Sequence, residues 1–291
     1  MHVLITGAGG TVGRFVAGHM LEEGHRVTAL GRAPIKELPV ACSPYDLSDP
    51  APVLPAADAV VHCALHHEPG KFRGGEGQDP ERFWQLNVEG TKALFSAARE
   101  AGCRKAVFLS SRAVYGDHRG GEMLLETDNP SPDTLYGKVK LAGENLLADC
   151  CDDGFSGTVL RATGVYGLAP GASSHKWSGL FDDFLAGGPV DPGCGTEVHG
   201  DDLASAVALT TTYSRETKNL EVFNVSDLVL DRHALLKMLQ AACGRGGEPP
   251  PTSAALPGTM DTTKLRALGW KPGGVPKLSS FLEACCFSAE V

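Results

Sequence analysis

Apolar positions along this chain follow two rhythms that alternate. His2–Thr6 is short, apolar and β-branched, and Gly7-Ala-Gly-Gly10 breaks it as a turn. From Thr11 the apolar residues Val12, Phe15, Val16, Met20 and Leu21 recur at helical spacing. Gly24 ends that helix, and the stretch 26–30 starts a second strand. The alternation continues with a buried strand at 59–63, a helix at 81–101 and a strand at 105–110. A helix at 136–148 carries Leu141, Leu146 and Leu147, and a strand follows at 158–161. Strands alternating with helices predict an α/β protein with a parallel, doubly wound sheet.

Past Arg161 the pattern loosens, and Gly and Pro become frequent at 164–171 and 187–195. A helix over about 201–214 and a strand at 221–225 follow; 243–257 reads as a Gly/Pro-rich connection, and 265–268 and 275–284 as helical. The expected organisation is a dinucleotide-binding domain over 1–165, to which the chain returns around 198–226, and a smaller α/β substrate lobe over 166–291. Residues 65–80 form a Gly-rich stretch without periodicity, expected to be a flap near a site.

Composition narrows the function classes. With 42% hydrophobic and 21% charged residues, the 291-residue chain can bury a substantial core. A net charge of −9 argues against a polyanionic partner such as nucleic acid. No apolar run approaches membrane-spanning length and no leader-like pattern precedes Val3, so a soluble, reducing, cytoplasmic setting is expected, with no membrane partner. The nine cysteines lack regular disulfide or zinc spacing, and the pairs Cys150-Cys151 and Cys285-Cys286 read as buried or incidental thiols. His66-His67 does not make a metal site, because adjacent residues seldom share one site geometry, and no metal is expected.

Two motifs carry chemistry. Gly7, Gly10 and Gly13 follow a strand and open a helix, so the backbone can approach a pyrophosphate seated at the helix's positive end. An acid at the end of the second strand would bind the 2′-hydroxyl of NAD; here Gly31-Arg32 stand there, which leans toward NADP with NAD the other choice. Further on, Tyr136 and Lys140 lie four apart and share one helix face. An ammonium beside a phenol favours the phenolate, so this tyrosine can act as acid or base near neutral pH.

With these motifs in order, the chain resembles the extended short-chain dehydrogenase/reductases, specifically the NAD-dependent epimerase/dehydratase family. The resemblance rests on Thr6–Gly13, Asp46-Leu47, the strand ending Cys63-Ala64, Asn87-Val-Glu-Gly-Thr91, Ser110-Ser-Arg-Ala-Val-Tyr-Gly116, Tyr136–Lys140, Arg161–Gly167 and His199–Asp202. It implies a Rossmann fold in which Gly7, Gly10, Thr11, Val12, Gly13, Arg32, Asp46, Leu47, Cys63, Ala64, Asn87, Tyr136 and Lys140 bind the cofactor. It also implies that Tyr136 is the acid/base, that Lys140 lowers its pKa and bonds the nicotinamide ribose, and that Ser111 positions the substrate oxygen. Asn87 would fix a bend near the active site, with a bound-water relay as its alternative role. Arg112, His175 and Lys176 fall where the family places substrate contacts, and the helices at 81–101 and 136–148 match those that pair homodimers.

Departures from the family bear on the reaction. Dehydratases carry an Asp-Glu pair where this chain has Arg112-Ala113, so a 4,6-dehydratase is not expected. The asparagine and the arginine that contact a nucleotide-sugar diphosphate are replaced by Gly164 and Gly195, which leaves Lys176 or Arg161 as substitute anchors. The favoured expectation is an NAD(P)-dependent oxidoreductase moving a hydride to or from a carbonyl or hydroxyl carbon of a sugar-like or small substrate. The alternative is a nucleotide-sugar epimerase that holds NAD tightly and shows no net redox change. A catalytically silent NADP-binding regulator is disfavoured by the intact Ser111, Tyr136 and Lys140.

Overall fold

A computed structural model describes residues 1–68, 75–213 and 220–287. The elements run β1 (His2–Thr6), α1 (Thr11–Glu22), β2 (Arg26–Gly31), β3 (Ala41–Pro44), β4 (Ala59–His62), α2 (Pro80–Glu100), β5 (Lys105–Ser111), β6 (Met123–Leu124), α3 (Leu135–Cys150) and β7 (Ser156–Ala162). Then come β8 (Gly164–Tyr166), α4 (Ser178–Leu185), β9 (Cys194–His199), α5 (Gly200–Thr212), β10 (Glu221–Val225), β11 (Leu228–Asp231), α6 (Arg232–Cys243), β12 (Thr259–Met260), α7 (Thr263–Ala267) and α8 (Gly274–Phe287). A single 3₁₀ turn, Arg112–Tyr115, follows β5.

Seven strands form one parallel sheet in the order β10-β7-β5-β4-β1-β2-β3. Alternation along each strand divides its side chains between two cores. Val3, Ile5, Val27, Val61, Val107 and Leu160 face α1 and α5, while Leu4, Leu30, Val60, Ala106, Phe108 and Val159 face α2 and α3. Burial on both faces is why these strands read as continuous apolar runs. The chain winds outward from β1 in one direction and from β4 in the other, so a crevice opens beyond the C-terminal ends of β1 and β4, where such sheets bind ligands.

A smaller sheet, β11-β9-β8, packs with α4, α6 and α8. Its core is aromatic and leucine-rich: Tyr166, Trp177, Phe181, Phe184, Leu235, Leu236, Leu239, Leu278, Phe281 and Leu282. Cys243 at the end of α6 and Cys286 near the end of α8 form a disulfide across 43 residues of sequence. This corrects the reading of Cys286 as a buried or incidental thiol. The packing of α6 on α8 brings their last turns together, and spacing along the chain carries no trace of that. Cys285, the neighbour of Cys286, stays reduced. Of the flap expected at 65–80, residues 69–74 lie outside the described ones; next to them Glu68 N–H bonds Gly75 O at 2.8 Å. No helix among the described residues is long and apolar enough to cross a membrane.

Candidate active site

The glycine loop is shaped by close approach. Gly7 has φ +66°, and a Cβ there would stand 2.8 Å from both Cα and N of Ala64. A Cβ on Gly13 would stand 2.6 Å from Ala8 Cα and nearer still to Gly7 O. Only glycine lets α1 leave β1 this tightly. Gly10 begins α1 with no side-chain cap, so the first-turn N–H groups point into the crevice. A cradle that a side chain would fill, ending on uncapped helix donors, fits a dinucleotide pyrophosphate. Thr11 is exposed and Val12 half-buried in that first turn.

Behind the loop runs a buried relay. Thr91 Oγ1 donates to Asn87 O at 2.6 Å, so it must accept from His62 Nε2, 2.8 Å away. His62 therefore carries its proton on Nε2, and Nδ1 accepts from Thr6 Oγ1 at 2.7 Å. Thr6 Oγ1 in turn accepts the Ala64 N–H at 3.2 Å. Every group in the chain is satisfied without charge, and burial pushes the His62 pKa down to about 3. Asn87 clamps the loop after β4, accepting the His66 N–H at 2.7 Å and donating to His66 O at 2.9 Å and Phe83 O at 2.8 Å. Gly90 of the same motif lets α2 approach Leu47, where a Cβ would stand 3.0 Å from Leu47 Cδ2. Cys63 and Ala64 thus lie against the glycine loop, Asn87 holds the segment that follows them, and Leu47 lies against α2. Asp46 accepts the Ser48 N–H and hydroxyl, which hold its carboxyl below the usual range, and Arg32 Nε lies 3.9 Å from its other oxygen. The Arg32 side chain is 86% exposed.

Ser111 lies at the end of β5, and Tyr136 and Lys140 lie on α3, which packs on that strand. Ser111 closes the strand, and its Oγ accepts the Ala113 N–H at 3.2 Å, which leaves the hydroxyl proton to donate elsewhere. Thr134 caps α3 by accepting the Gly137 N–H at 3.1 Å. Gly137 lets α3 settle onto the 3₁₀ turn, for a Cβ there would come 2.9 Å from Pro132 Cβ and closer to Ala113 O. Tyr136 packs beside Leu65 and Leu135 against Phe83, Val88 and Val139. Lys140 is 4% exposed; its Nζ donates to Leu109 O at 2.8 Å and lies 5.9 Å from the Tyr136 ring centroid and 5.1 Å from that of Phe108. Burial lowers the Lys140 pKa to about 8, with Cys63 and Glu144 opposing the drop.

A second buried network anchors this helix. Glu144, one turn after Lys140, accepts from Ser110 Oγ and pairs with Arg161, whose Nη2 lies 2.7 Å and Nε 3.1 Å from its carboxylate. Arg161 Nη1 donates to the Tyr115 hydroxyl at 3.0 Å, which donates to Asn224 Oδ1 at 2.8 Å. Both ionic side chains are 5% exposed. Arg161 is thereby committed to the core, which removes it as a substitute anchor for a diphosphate. Glu144, absent from the sequence-derived candidates, could have been noticed as an acid on the buried face of the Tyr136/Lys140 helix.

The substrate-side candidates separate. Arg112 pairs with Asp117 at 2.6 Å beside Ser111. Lys176 reaches across to Glu197, with Nζ 2.5 and 2.6 Å from its two oxygens. His175 turns into the smaller lobe's core, its ring 5.0 Å from that of Phe281 and Nε2 3.6 Å from Cys285 Sγ; burial lowers its pKa. Trp177 next to it stacks on Tyr166 at 5.0 Å. The His199–Asp202 motif ties the lobe down: Asp202 accepts from Lys277 Nζ at 2.7 Å and Gly273 N–H at 2.9 Å, and its carbonyl takes the Trp270 indole N–H at 2.8 Å.

The model of the NAD dependent epimerase/dehydratase family matches residues 3–226. The chain belongs to this family. It is 26% identical to a UDP-glucose 4-epimerase of Yersinia pestis, covering 93% of both chains. It is 31% identical to a 3-diazoavenalumate denitrifying reductase of a Streptomyces species, over 76% of this chain and 75% of that one. Among solved structures it is similar to MoeE5 in complex with UDP-glucose and NAD, with TM-score 0.80 and 25% identity over the whole of both chains. As a family member it is an NAD(P)-dependent oxidoreductase, moving a hydride between nicotinamide and a carbonyl or hydroxyl carbon of a sugar-like or small substrate.

Proposed function

We propose that this family member is a net reductase or dehydrogenase that uses NADP(H) on a small carbonyl or hydroxyl compound. The observation that carries the reading is the Tyr136 ring beside the buried Lys140 ammonium, on the helix that packs on β5, the strand that Ser111 ends. Ser111 donates to the reacting oxygen, while Tyr136 gives its phenolic proton to that oxygen in reduction or takes it in oxidation. Lys140 stabilises the phenolate that results and orients the cofactor ribose. The bound nicotinamide supplies or accepts the hydride. Arg112 sits in the shell around that oxygen, and Lys176 farther out.

Gly7, Gly10, Thr11, Val12 and Gly13 cradle the pyrophosphate; Asp46, Leu47, Cys63, Ala64 and Asn87 wall the crevice. The exposed guanidinium of Arg32, after Gly31 at the end of β2, supports NADP because that strand ends on glycine and arginine instead of the acid that takes a 2′-hydroxyl. The reading includes a cytoplasmic homodimer formed through α2, where Trp84 is 39% exposed, and α3. It also divides the chain near residue 165, with 198–226 returning to the cofactor domain.

Mass spectrometry of nucleotide released from the purified protein tests it. The expected result is no stoichiometric nucleotide, with NADPH taken up from solution and Arg32→Ala weakening NADPH but not NADH. Stoichiometric oxidised NAD would instead support an epimerase that keeps its cofactor.

A further inference from the structure

A cavity of about 520 Å³ lies between α4, β9, β11 and α6, walled by Trp177, Leu180 and Leu235 and by Lys176, Glu197 and Gly195. That volume suits one small organic molecule. Two of its wall residues, Lys176 and Glu197, lie against Gly164, the residue that begins β8. Ala162 is paired with Ser111 across the sheet, and Gly164 follows two residues later, which places it on the order of 10 Å from Ser111.

The ion pair lies directly on Gly164. A Cβ there would meet Glu197 Oε2 at 2.6 Å and Lys176 Nζ closer still, and one on Gly195 would stand 3.4 Å from Glu197 Oε1. Gly164 therefore makes room for the pair, Gly195 lies in ordinary contact with it, and neither glycine adds a side-chain donor. The Glu197 side chain is 10% exposed, and burial raises its pKa against the pull of Lys176. The remaining charged residues of the wall, Asp183 and Arg232, are one of each sign, and Arg232 Nη1 already donates to Asp191 O at 3.0 Å. Lys176, the cation beside Gly164, is already paired with Glu197, and that buried carboxylate repels a diphosphate.

We propose that the Lys176–Glu197 pair is a specificity element: it screens nucleoside diphosphates out of this cavity and reserves it for uncharged, ring-sized carbonyl or hydroxyl compounds. The inference deepens the reductase reading above and rests on it for the reaction. Its test reads binding alone, so a failure of the cofactor or turnover assignment leaves its outcome readable.

The experiment is calorimetric titration of UDP into the purified protein as isolated, with no nicotinamide nucleotide added. Wild type is expected to show no binding up to about 1 mM. Glu197→Gln keeps the side chain's shape and leaves the Lys176 ammonium unpaired, so UDP should bind at least about tenfold more tightly. Adding Lys176→Met to that variant should abolish the gain, which separates charge from loosened packing. Micromolar UDP binding by wild type, no gain in Glu197→Gln, or a gain that survives Lys176→Met would each overturn the proposal.

Discussion

The Thr6–His62–Thr91 relay on the cofactor side carries no formal charge, whereas the Ser110–Glu144–Arg161–Tyr115 network under the catalytic helix is built on an ion pair. Both are buried and hydrogen-bonded throughout, and both fix a catalytic element in place. The neutral relay joins the glycine loop to α2 through single donors. The ionic network joins α3 to β7 and, through Asn224, to β10. They should therefore fail differently: the neutral one when a proton is forced on it, the ionic one when either partner is cut.

Cutting the ionic network gives the largest effect. Glu144→Ala leaves the Arg161 guanidinium buried without its carboxylate, which costs about 3–5 kcal/mol of stability in a denaturant titration. A loss under about 1 kcal/mol would mean that water or Asn224 replaces the pair, and the contrast between the networks would collapse.

Acid should find the neutral relay. His62 takes up a proton at its ordinary pKa of 6.5 when unfolded, but only near 3 when folded. The unfolded state thus binds more protons between these values, and stability is lost as pH falls from 6.5 toward 3. The loss is about 2 kcal/mol by pH 5. His62→Gln should be less stable at pH 7, yet lose this part of the slope. An unchanged slope would show that other groups set the acid sensitivity.

Legibility followed the same divide. Gly7, Gly10 and Gly13 were readable because a backbone that tolerates no Cβ forces one residue type, and the Tyr136/Lys140 spacing was readable because a helix fixes which side chains share a face. The relay's members stood inside recognisable motifs, although nothing local told that His62 links them. The smaller lobe was harder. Its short strands β8, β9 and β11 sit among glycines and prolines, where periodicity is too brief to register. Its decisive contacts, Lys176–Glu197 and Cys243–Cys286, join residues 21 and 43 apart in sequence and exist only through packing. His175 illustrates the limit: its place after Tyr166-Gly167 pointed to the substrate, and the aromatic core of the lobe took it instead.

The central claim is that Tyr136 moves the proton that accompanies hydride transfer. Tyr136→Phe removes only the hydroxyl and leaves the ring packed against Val139 and Phe83. The measurement is steady-state turnover of this variant with NADPH and the wild type's best carbonyl substrate, alongside NADPH affinity. The account predicts unchanged affinity and a turnover at least about 10²-fold lower; turnover equal to wild type would contradict it.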